Sequence, residues 1–326
     1  MSRIGIGLIG AGRHGARYAR HISQDLPNLR LVALARRDPE SARRQAEEFG
    51  CRTYTDFRKL LAAPDVDAVV IVVPPTVHRE IVDAAMAARR PVLLEKPAAV
   101  NLAEGRRILQ AVRAADVPLM VAQTLRYNGV VQLLMRERAR LGRIHALRIS
   151  QRFEPSRPGW IDNPAIAGGG ITLHTGVHSF DIMRMLSGLE ADRVSCEMAA
   201  VHTQQTDDNF SAVIRLGDGA VLASVAGSRA TASRNGPIEV VGEHGQLIAD
   251  HVFNTVQLVQ GSTVSLLPTP PPVATVCEVL RDFARLLETG GPNPIPLADG
   301  LHAVAIAEAC YAAARSGRAV AVPPVE

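Results

Sequence analysis

The stretch Ile4-Gly5-Ile6-Gly7-Leu8-Ile9-Gly10-Ala11-Gly12-Arg13-His14-Gly15 decides the fold of this 326-residue chain. Its first six residues are an apolar run broken only by glycines, which predicts a strand, and residues 16–23 favour a helix. In such a turn the first glycine of G-x-G-x-x-G allows the bend. The second lets backbone approach a pyrophosphate, and the third lets the helix pack on the strand. The stretch therefore predicts a dinucleotide cradle, with an ordinary glycine-rich turn as the alternative.

Strand-like and helical stretches alternate after this motif. Strands are predicted at residues 4–9, 30–35, 66–73, 91–94 and 118–122, and helices at 16–23, 78–88 and 102–115. Another helix begins at Asp38, which suits the N-cap, with Pro39 at the first helical position and Glu40 in the first turn. This alternation predicts βαβ units and an α/β Rossmann domain with a doubly wound parallel sheet over residues 1–122.

The remaining chain has a different pattern. Strand-like stretches follow one another at residues 145–152, 193–201, 210–216, 220–228, 238–242 and 246–250, and helices are predicted at 276–287 and 297–314. We expect a C-terminal α+β domain with a large open, mostly antiparallel sheet that leaves one face exposed. Residues 123–290 would bind substrate and form oligomers, and residues 291–326 would pack back near the N-terminal domain. Such a sheet often pairs with a copy of itself, so we expect a homodimer or homotetramer.

The composition excludes several classes of protein. With 47% hydrophobic and 21% charged residues the chain is too apolar for disorder. The first 60 residues hold 12 Lys/Arg against 6 Asp/Glu, which points to an anionic partner for this segment. Nucleic acid is disfavoured because the arginines form no basic tract with interleaved aromatics. Only two lysines, Lys59 and Lys96, stand among 34 arginines.

Cysteine and targeting signals give mainly negative evidence. The four cysteines, Cys51, Cys196, Cys277 and Cys310, lie far apart without metal-like spacing, so we expect a reducing compartment and no metal. No apolar run reaches 18 residues and no signal peptide is evident, which predicts a cytoplasmic protein with no membrane partner.

The end of the second predicted strand bears on the choice of cofactor. Sites that prefer NAD place an acid about 20 residues past the glycine motif, where it binds the ribose hydroxyls. This chain has Arg36 and Arg37 there, and a guanidinium can pair with a 2′-phosphate that a carboxylate would repel. We therefore expect NADP(H) rather than NAD(H). Alternatively, both arginines are solvated and the pocket accepts either cofactor.

Glu95-Lys96-Pro97 follows directly on a predicted strand. Residues past the carboxyl ends of strands in a doubly wound sheet face the ligand crevice. The ammonium of Lys96 is a compact donor that can hold a substrate hydroxyl and relay its proton. Pro97 would fix the turn, and a Lys–Pro peptide can be cis. A surface lysine at a strand end is the alternative.

A second cluster lies at residues 168–181, where three glycines lead into a helix-like run. His174 and His178 are four residues apart and Asp181 is three further on, so their side chains can share one helix face. A histidine beside a carboxylate suits general acid–base catalysis, whereas two packed helix histidines are the alternative. Zinc is disfavoured because no Glu of an H-E-x-x-H motif and no third ligand is evident. Trp160, the only Trp, either covers a sugar face or packs in the core.

These motifs in this order resemble the glucose–fructose oxidoreductase / inositol dehydrogenase / rhizopine-catabolism (Gfo/Idh/MocA) family. The resemblance rests on the glycine motif, on Val73-Pro74-Pro75-Thr76-x-His78, on Glu95-Lys96-Pro97 and on residues 168–181, and it spans nearly the whole chain. It implies a Rossmann domain followed by a domain with an open sheet, and NAD(P)-dependent oxidoreduction of sugars, cyclitols or related polyols.

The resemblance also implies roles for single residues. Lys96 falls on a catalytic and substrate-orienting position, and His178 on the usual proton donor or acceptor. His174 stands where the family commonly has Asp, which places its substrate contacts in question. Asp181 matches a recurring acid on the substrate side, where either a catalytic or a helix-orienting role is implied. Further positions are implied on the cofactor side for Pro74, Thr76, His78 and Glu95, and on the substrate side for Arg126 and Tyr127.

The sequence thus predicts an NADP(H)-preferring dehydrogenase or reductase in which Lys96 and His178 are catalytic. Two alternatives stay open. One is a redox-assisted, glycoside-cleaving enzyme of the same family, and the other is a non-enzymatic dinucleotide-sensing regulator.

Overall fold

The computed structural model describes residues 3–155 and 159–326. The strands are β1 (Ile4–Ile9), β2 (Leu29–Ala35), β3 (Arg52–Tyr54), β4 (Ala68–Ile71), β5 (Val92–Glu95), β6 (Leu119–Ala122), β7 (Ile144–Arg152), β8 (Ala191–Ala199), β9 (Asn209–Leu216), β10 (Val221–Ser228), β11 (Pro237–Gly242), β12 (Gly245–Asp250), β13 (Thr255–Gln260), β14 (Thr263–Leu266) and β15 (Val320–Ala321). The helices are α1 (Gly15–Gln24), α2 (Pro39–Phe49), α3 (Phe57–Leu61), α4 (His78–Ala87), α5 (Leu102–Ala115), α6 (Gly129–Glu137), α7 (Pro164–Ala167), α8 (Val177–Ser187), α9 (Thr275–Thr289) and α10 (Leu297–Ser316).

The chain forms two compact units. The first comprises the residues up to Thr124 together with Ala274–Gly300, and the second comprises Leu125–Val273 together with Leu301–Glu326. This division differs from the predicted one, because α9 belongs to the first unit and residues 301–326 belong to the second. The apolar face of α9 contacts α1, whereas Ala303, Ile306 and Cys310 of α10 lie in the core of the second unit. Apolar packing across long sequence separations decides both assignments.

The first unit contains a six-stranded parallel sheet in the order β3-β2-β1-β4-β5-β6. Every residue of β4, β5 and β6 is buried, as expected of strands covered on both faces. The order reverses between β1 and β4, and ligands of doubly wound sheets bind at the carboxyl ends of the strands at this point. The predicted doubly wound parallel sheet is confirmed.

The start of α2 shows how local sequence sets an element. The Asp38 carboxylate accepts a hydrogen bond of 2.9 Å from the Ser41 backbone N–H, and Pro39 occupies the first turn. Hydrogen bonding from the Ser41 side chain, and then from this backbone N–H, lowers the pKa of Asp38. The helix ends at Gly50, whose φ of 62° is left-handed. The predicted capping role of Asp38 is therefore confirmed.

The second unit is built on a nine-stranded sheet in the order β14-β13-β12-β11-β7-β10-β9-β8-β15. Only β7 and β10 run parallel to each other, and the other neighbouring pairs are antiparallel. Buried and exposed residues alternate along β9 and β10, so one face lies on the core and the other faces solvent. This confirms the predicted open, mostly antiparallel sheet.

Four strands were not predicted, namely β3, β13, β14 and β15. Three of them, β3, β14 and β15, lie at sheet edges, and β13 lies next to an edge. Short edge strands are stabilised largely by pairing with a neighbour, which a local sequence pattern does not record. Within residues 3–155 and 159–326, the structure contains no helix that combines the length and apolarity needed to span a membrane.

Candidate functional site

The glycine-rich loop joins β1 to α1 and its three motif glycines have different surroundings. Gly10 has a φ of +97°, and a methyl group on it would lie 2.2 Å from the Val72 carbonyl oxygen. A methyl group on Gly15 would lie 2.1 Å from the Gly10 carbonyl oxygen. One on Gly12 would meet no protein atom within 4 Å. The space over Gly12, beside the N-terminus of a ten-residue helix, therefore suits the pyrophosphate of a dinucleotide.

Arg36 and Arg37 follow β2 but differ in their surroundings. The Arg36 guanidinium donates to the Ala11 carbonyl oxygen at 3.0 Å and to Gln45 Oε1 at 3.2 Å, which holds it against the glycine-rich loop. Arg37 is exposed. The nearest acid in sequence, Asp38, is engaged as the helix cap. Positive charge thus borders the loop at the strand end where NAD-preferring sites carry an acid.

Lys96 lies in the turn after β5. Its peptide bond to Pro97 is cis, as its sequence allowed, and its side chain is partly exposed. Glu95, just before it, is buried and accepts a hydrogen bond of 2.5 Å from the Tyr18 hydroxyl. Burial by itself raises the pKa of Glu95. The hydrogen bond and electrostatic attraction from His14, the attraction from Lys96 and the hydrogen bond from Tyr18 together lower this pKa to about 2. Glu95 is therefore a buried carboxylate beside Lys96, rather than a group exposed to a cofactor.

The segment after β4 carries the other expected cofactor contacts. Pro74 is partly exposed and Thr76 is exposed. His78 is fully buried, and its Nε2 donates to the Val73 carbonyl oxygen at 3.0 Å. Burial lowers the pKa of His78 and thereby favours the neutral ring. This placement favours a role for His78 in holding the segment that presents Pro74 and Thr76, rather than direct contact with a cofactor.

The two histidines of residues 168–181, His174 and His178, lie in different environments. Residues Thr172–Gly176 form a π-helical turn, a feature often found at functional sites, and α8 follows it. His174 is buried and its Nε2 donates to the Ala167 carbonyl oxygen at 3.0 Å. The His174 and Trp160 rings make a T-shaped contact with centroids 5.6 Å apart, and Trp160 is 37% exposed. Between residues 171 and 181, His178 alone is not buried.

Asp181 pairs with Arg126 in the same unit. The guanidinium makes two hydrogen bonds, from Nε to Oδ2 at 2.7 Å and from Nη2 to Oδ1 at 2.6 Å. The Asp181 side chain is almost wholly buried and that of Arg126 is largely so. This bidentate pair favours the helix-orienting alternative for Asp181, and a structural role for Arg126 rather than its expected substrate contact. Tyr127 is partly exposed. Its expected contact with a substrate stays a prediction.

Sequence reasoning missed the residues that hold the start of residues 168–181, which we call the His178 segment. Asp207 accepts hydrogen bonds from the Gly170 and Thr172 backbone N–H groups, both at 2.9 Å, and from the Thr172 hydroxyl at 2.6 Å. Tyr311 of α10 donates to the same carboxylate at 2.8 Å. The backbone approaches closely at Gly170, where a methyl group would lie 1.9 Å from the Asp207 carbonyl oxygen. The glycine run was the available signal, but its partner is distant in sequence.

Within residues 3–155 and 159–326, one group of side chains has the composition of a metal site. Ligand atoms of His21, Asp25 and Cys277 lie within 4.8 Å of one another, although the cysteine spacing gave no such signal. His21 Nδ1 lies 2.6 Å from Asp25 Oδ2, and the Arg281 guanidinium donates to Cys277 Sγ at 3.8 Å. Because this guanidinium charge repels a cation, we interpret the group as a hydrogen-bonded His–Asp pair beside a buried thiol.

Comparison with known proteins places both parts of the chain in one family. A family described as "Oxidoreductase family, NAD-binding Rossmann fold" matches residues 4–123, and the GFO/IDH/MocA C-terminal domain matches residues 134–248. The fold is also that of an oxidoreductase domain protein from Kribbella flavida, whose crystal structure gives a TM-score of 0.90. The two are 24% identical, over 99% of this chain and 100% of the other.

Two curated relatives match this chain over almost their full length. The myo-inositol 2-dehydrogenase of Thermotoga maritima is 28% identical over 325 residues, which cover 95% of each chain. The 1,5-anhydro-D-fructose reductase of Ensifer adhaerens is 30% identical over 306 residues, covering 90% of this chain and 91% of the relative. The protein is therefore an oxidoreductase of the GFO/IDH/MocA family, with a Rossmann fold of the kind that binds nicotinamide dinucleotides.

Proposed function

We propose that this oxidoreductase interconverts a carbinol and a carbonyl group of a sugar, cyclitol or related polyol, and that it prefers NADP(H). The observation that carries the proposal is the placement of His178. It is the one partly exposed side chain among the otherwise buried residues 171–181, and an imidazole can act both as a proton donor and as a proton acceptor. The two curated relatives described above are named for a cyclitol and for an anhydro sugar, which supports this substrate class.

The two proposed catalytic residues have separate roles. The nicotinamide, when bound, supplies or accepts the hydride. His178 gives a proton to the substrate oxygen in reduction and takes one in oxidation, which typically accelerates a reaction by about 10²–10⁴-fold. Lys96 donates a hydrogen bond to the substrate and stabilises the negative charge that develops during the reaction.

Replacement of His178 tests the proton-transfer role. We expect His178→Ala to lower kcat by about 10²–10⁴-fold while the dissociation constant for NADPH stays unchanged. Initial rates on a panel of inositols, aldoses and anhydro sugars would first identify a substrate, and fluorescence titration would report NADPH binding. Replacement of the half-buried His251 in His251→Gln is a histidine control outside the proposed machinery. Unchanged turnover in His178→Ala would refute the role, and no turnover of any compound by the unaltered protein would favour a dinucleotide sensor.

The preference for NADP(H) rests on Arg36 and Arg37 and on the engagement of Asp38 as a cap. We expect NADPH to bind more tightly than NADH, and Arg37→Glu to weaken NADPH binding by about tenfold or more. The introduced carboxylate would repel the 2′-phosphate. Parallel fluorescence titrations with both cofactors would measure this. NADH binding that equals or exceeds NADPH binding in the unaltered protein would contradict the preference.

A further inference from the structure

Glu95 is a buried carboxylate to which the proposed chemistry assigns no task. Its side chain is 7% exposed, and it ends β5 immediately before Lys96. An ionised carboxylate away from water is unfavourable unless it is paired and hydrogen-bonded. Two side chains meet this need. The Tyr18 hydroxyl lies 2.5 Å from Glu95 Oε2, and His14 Nε2 lies 3.3 Å from the same oxygen.

Tyr18 is suited to be a permanent donor. It is fully buried on α1. Burial, and then the charge of Glu95, raise the pKa of Tyr18 well above its ordinary value, so the phenol keeps its proton. The Tyr18 ring also meets the His14 ring edge-on, with centroids 5.5 Å apart and planes at 86°. Tyr18 therefore contacts both the Glu95 carboxylate and the His14 ring, and it restricts the position of each.

The three residues come from three segments of the proposed site. His14 belongs to the glycine-rich loop, Tyr18 to the helix that the loop opens, and Glu95 to the strand that ends at Lys96. The Glu95 carboxylate and the Lys96 ammonium attract each other, since Lys96 contributes to keeping Glu95 ionised. A shift of Glu95 would therefore move both the backbone before Lys96 and the negative charge beside it.

We propose that Tyr18 and His14 are positioning residues, which hold Glu95 and thereby set the place of Lys96 relative to the glycine-rich loop. This inference rests on the proposed role of Lys96. It goes beyond that role because it assigns a task to His14 and Tyr18, which act on Lys96 through Glu95.

The NMR signal of Lys96 can be observed selectively, because Lys59 and Lys96 are the only lysines of the chain. Protein labelled with ¹³C at the lysine ε carbon should give two side-chain signals, assigned with Lys59→Arg. In Tyr18→Phe, which keeps the ring and removes only the hydroxyl, we expect the Lys96 signal to shift and the Lys59 signal to stay. Lys59 is exposed on α3 and serves as the internal control. Tyr54→Phe, a partly exposed tyrosine in β3, is the matched control and should leave both signals in place.

A second readout follows Glu95 itself. With ¹³C at the glutamate carboxyl carbons, and Glu95→Gln to assign the signal, we expect the titration midpoint of Glu95 to rise by about 1–2 pH units in Tyr18→Phe. The hydroxyl bonds the charged form, and a bond to a charged group is worth about this much. His14→Gln should move the midpoint in the same direction. A generally loosened fold would lower the melting temperature without a selective change at Glu95 and Lys96.

Turnover separates this inference from the proposed function. On the panel compound that reacts fastest, we expect Tyr18→Phe and Glu95→Gln each to lower kcat about tenfold, with NADPH binding changed less than threefold. If Lys96→Met abolishes turnover but Tyr18→Phe leaves kcat and the Lys96 signal as in the unaltered protein, the positioning role is wrong and the role of Lys96 stands. If Lys96→Met turns over normally, the proposed role of Lys96 is wrong. Should Tyr18→Phe fail to fold, Glu95→Gln decides, since an unmoved Lys96 signal there overturns the inference.

Discussion

At the scale of single residues, Gly12 and Gly15 belong to one motif but have different surroundings. A methyl group on Gly12 would enter open space, whereas one on Gly15 would lie 2.1 Å from a backbone oxygen of the same loop. Real side chains essentially never approach so closely, so the helix or the loop would have to move. Gly12 is therefore free of a packing requirement from the protein, and its smallness matters only toward a ligand.

We predict that alanine at Gly12 weakens NADPH binding, whereas alanine at Gly15 weakens the fold. Gly12→Ala should leave the free energy of unfolding within about 0.5 kcal/mol of the original and weaken NADPH binding at least about tenfold, because the methyl group occupies the approach of the pyrophosphate. Gly15→Ala should lower the free energy of unfolding by about 1–3 kcal/mol or more. Urea unfolding and fluorescence titration would measure both quantities. Undiminished NADPH affinity in Gly12→Ala would show that the cradle is not used as proposed.

At the scale of elements, the start of the His178 segment depends on a carboxylate from elsewhere in the fold. Helix starts leave backbone N–H groups without intrahelical partners, and side-chain acceptors commonly satisfy them. Asp207 does this for Gly170 and Thr172, and Tyr311 of α10 bonds the same carboxylate. The π-helical turn that carries His174 follows directly, so these bonds anchor the segment that presents His178.

We predict that Asp207→Asn destabilises the protein and slows it. An asparagine offers one acceptor oxygen and turns an N–H₂ group toward donors, which should lower the free energy of unfolding by about 1–3 kcal/mol. Because the His178 segment would shift, kcat should fall while NADPH binding is retained. The matched control is Asp192→Asn, which removes a carboxylate that accepts from Arg215 and from the Asp218 backbone. It should cost stability at unchanged kcat, and an Asp207→Asn enzyme of normal kcat would count against the anchoring role.

At the scale of the whole molecule, one face of the nine-stranded sheet carries apolar side chains into solvent. Val213 of β9 and Leu222 of β10 are 57% and 54% exposed on neighbouring strands, near Arg148 and Glu239. Broad open sheets of this kind commonly pair with a second copy, whose identical face is complementary by symmetry. The same charge pair would then occur on both copies.

We predict that the protein is a homodimer or homotetramer in solution and that Leu222→Arg lowers the oligomeric state. The arginine would place an unpaired charge inside the interface between two sheet faces. The fold of the separate subunit should tolerate the arginine, because position 222 is already exposed there. Light scattering after size-exclusion chromatography would measure the mass. Phe253→Ser is the control, because Phe253 is 65% exposed in the turn between β12 and β13. A monomeric unaltered protein, or a Leu222→Arg protein of unchanged mass, would contradict the prediction.

The sequence by itself determined the features that depend on neighbours along the chain. The strand–glycine–helix motif, the alternation that makes a parallel sheet and the cap at Asp38 are all decided within about 20 residues by backbone sterics and local hydrogen bonding. The same holds for the turn at Lys96 and for the change to consecutive strands that marks the second unit. The family followed from the order of these motifs, since order is itself a property of the sequence.

Only the tertiary structure decided which side chains meet across long separations. Asp181 pairs with Arg126 from 55 residues away, Glu95 with Tyr18 from 77, and Asp207 with Tyr311 from 104. Burial of His78 and the membership of α9 in the first unit were likewise outside the reach of periodicity. The physical reason is that a polar group entering a core must find its partner there. That partner is supplied by whichever segment the packing brings alongside, not by the residues next to it in the chain.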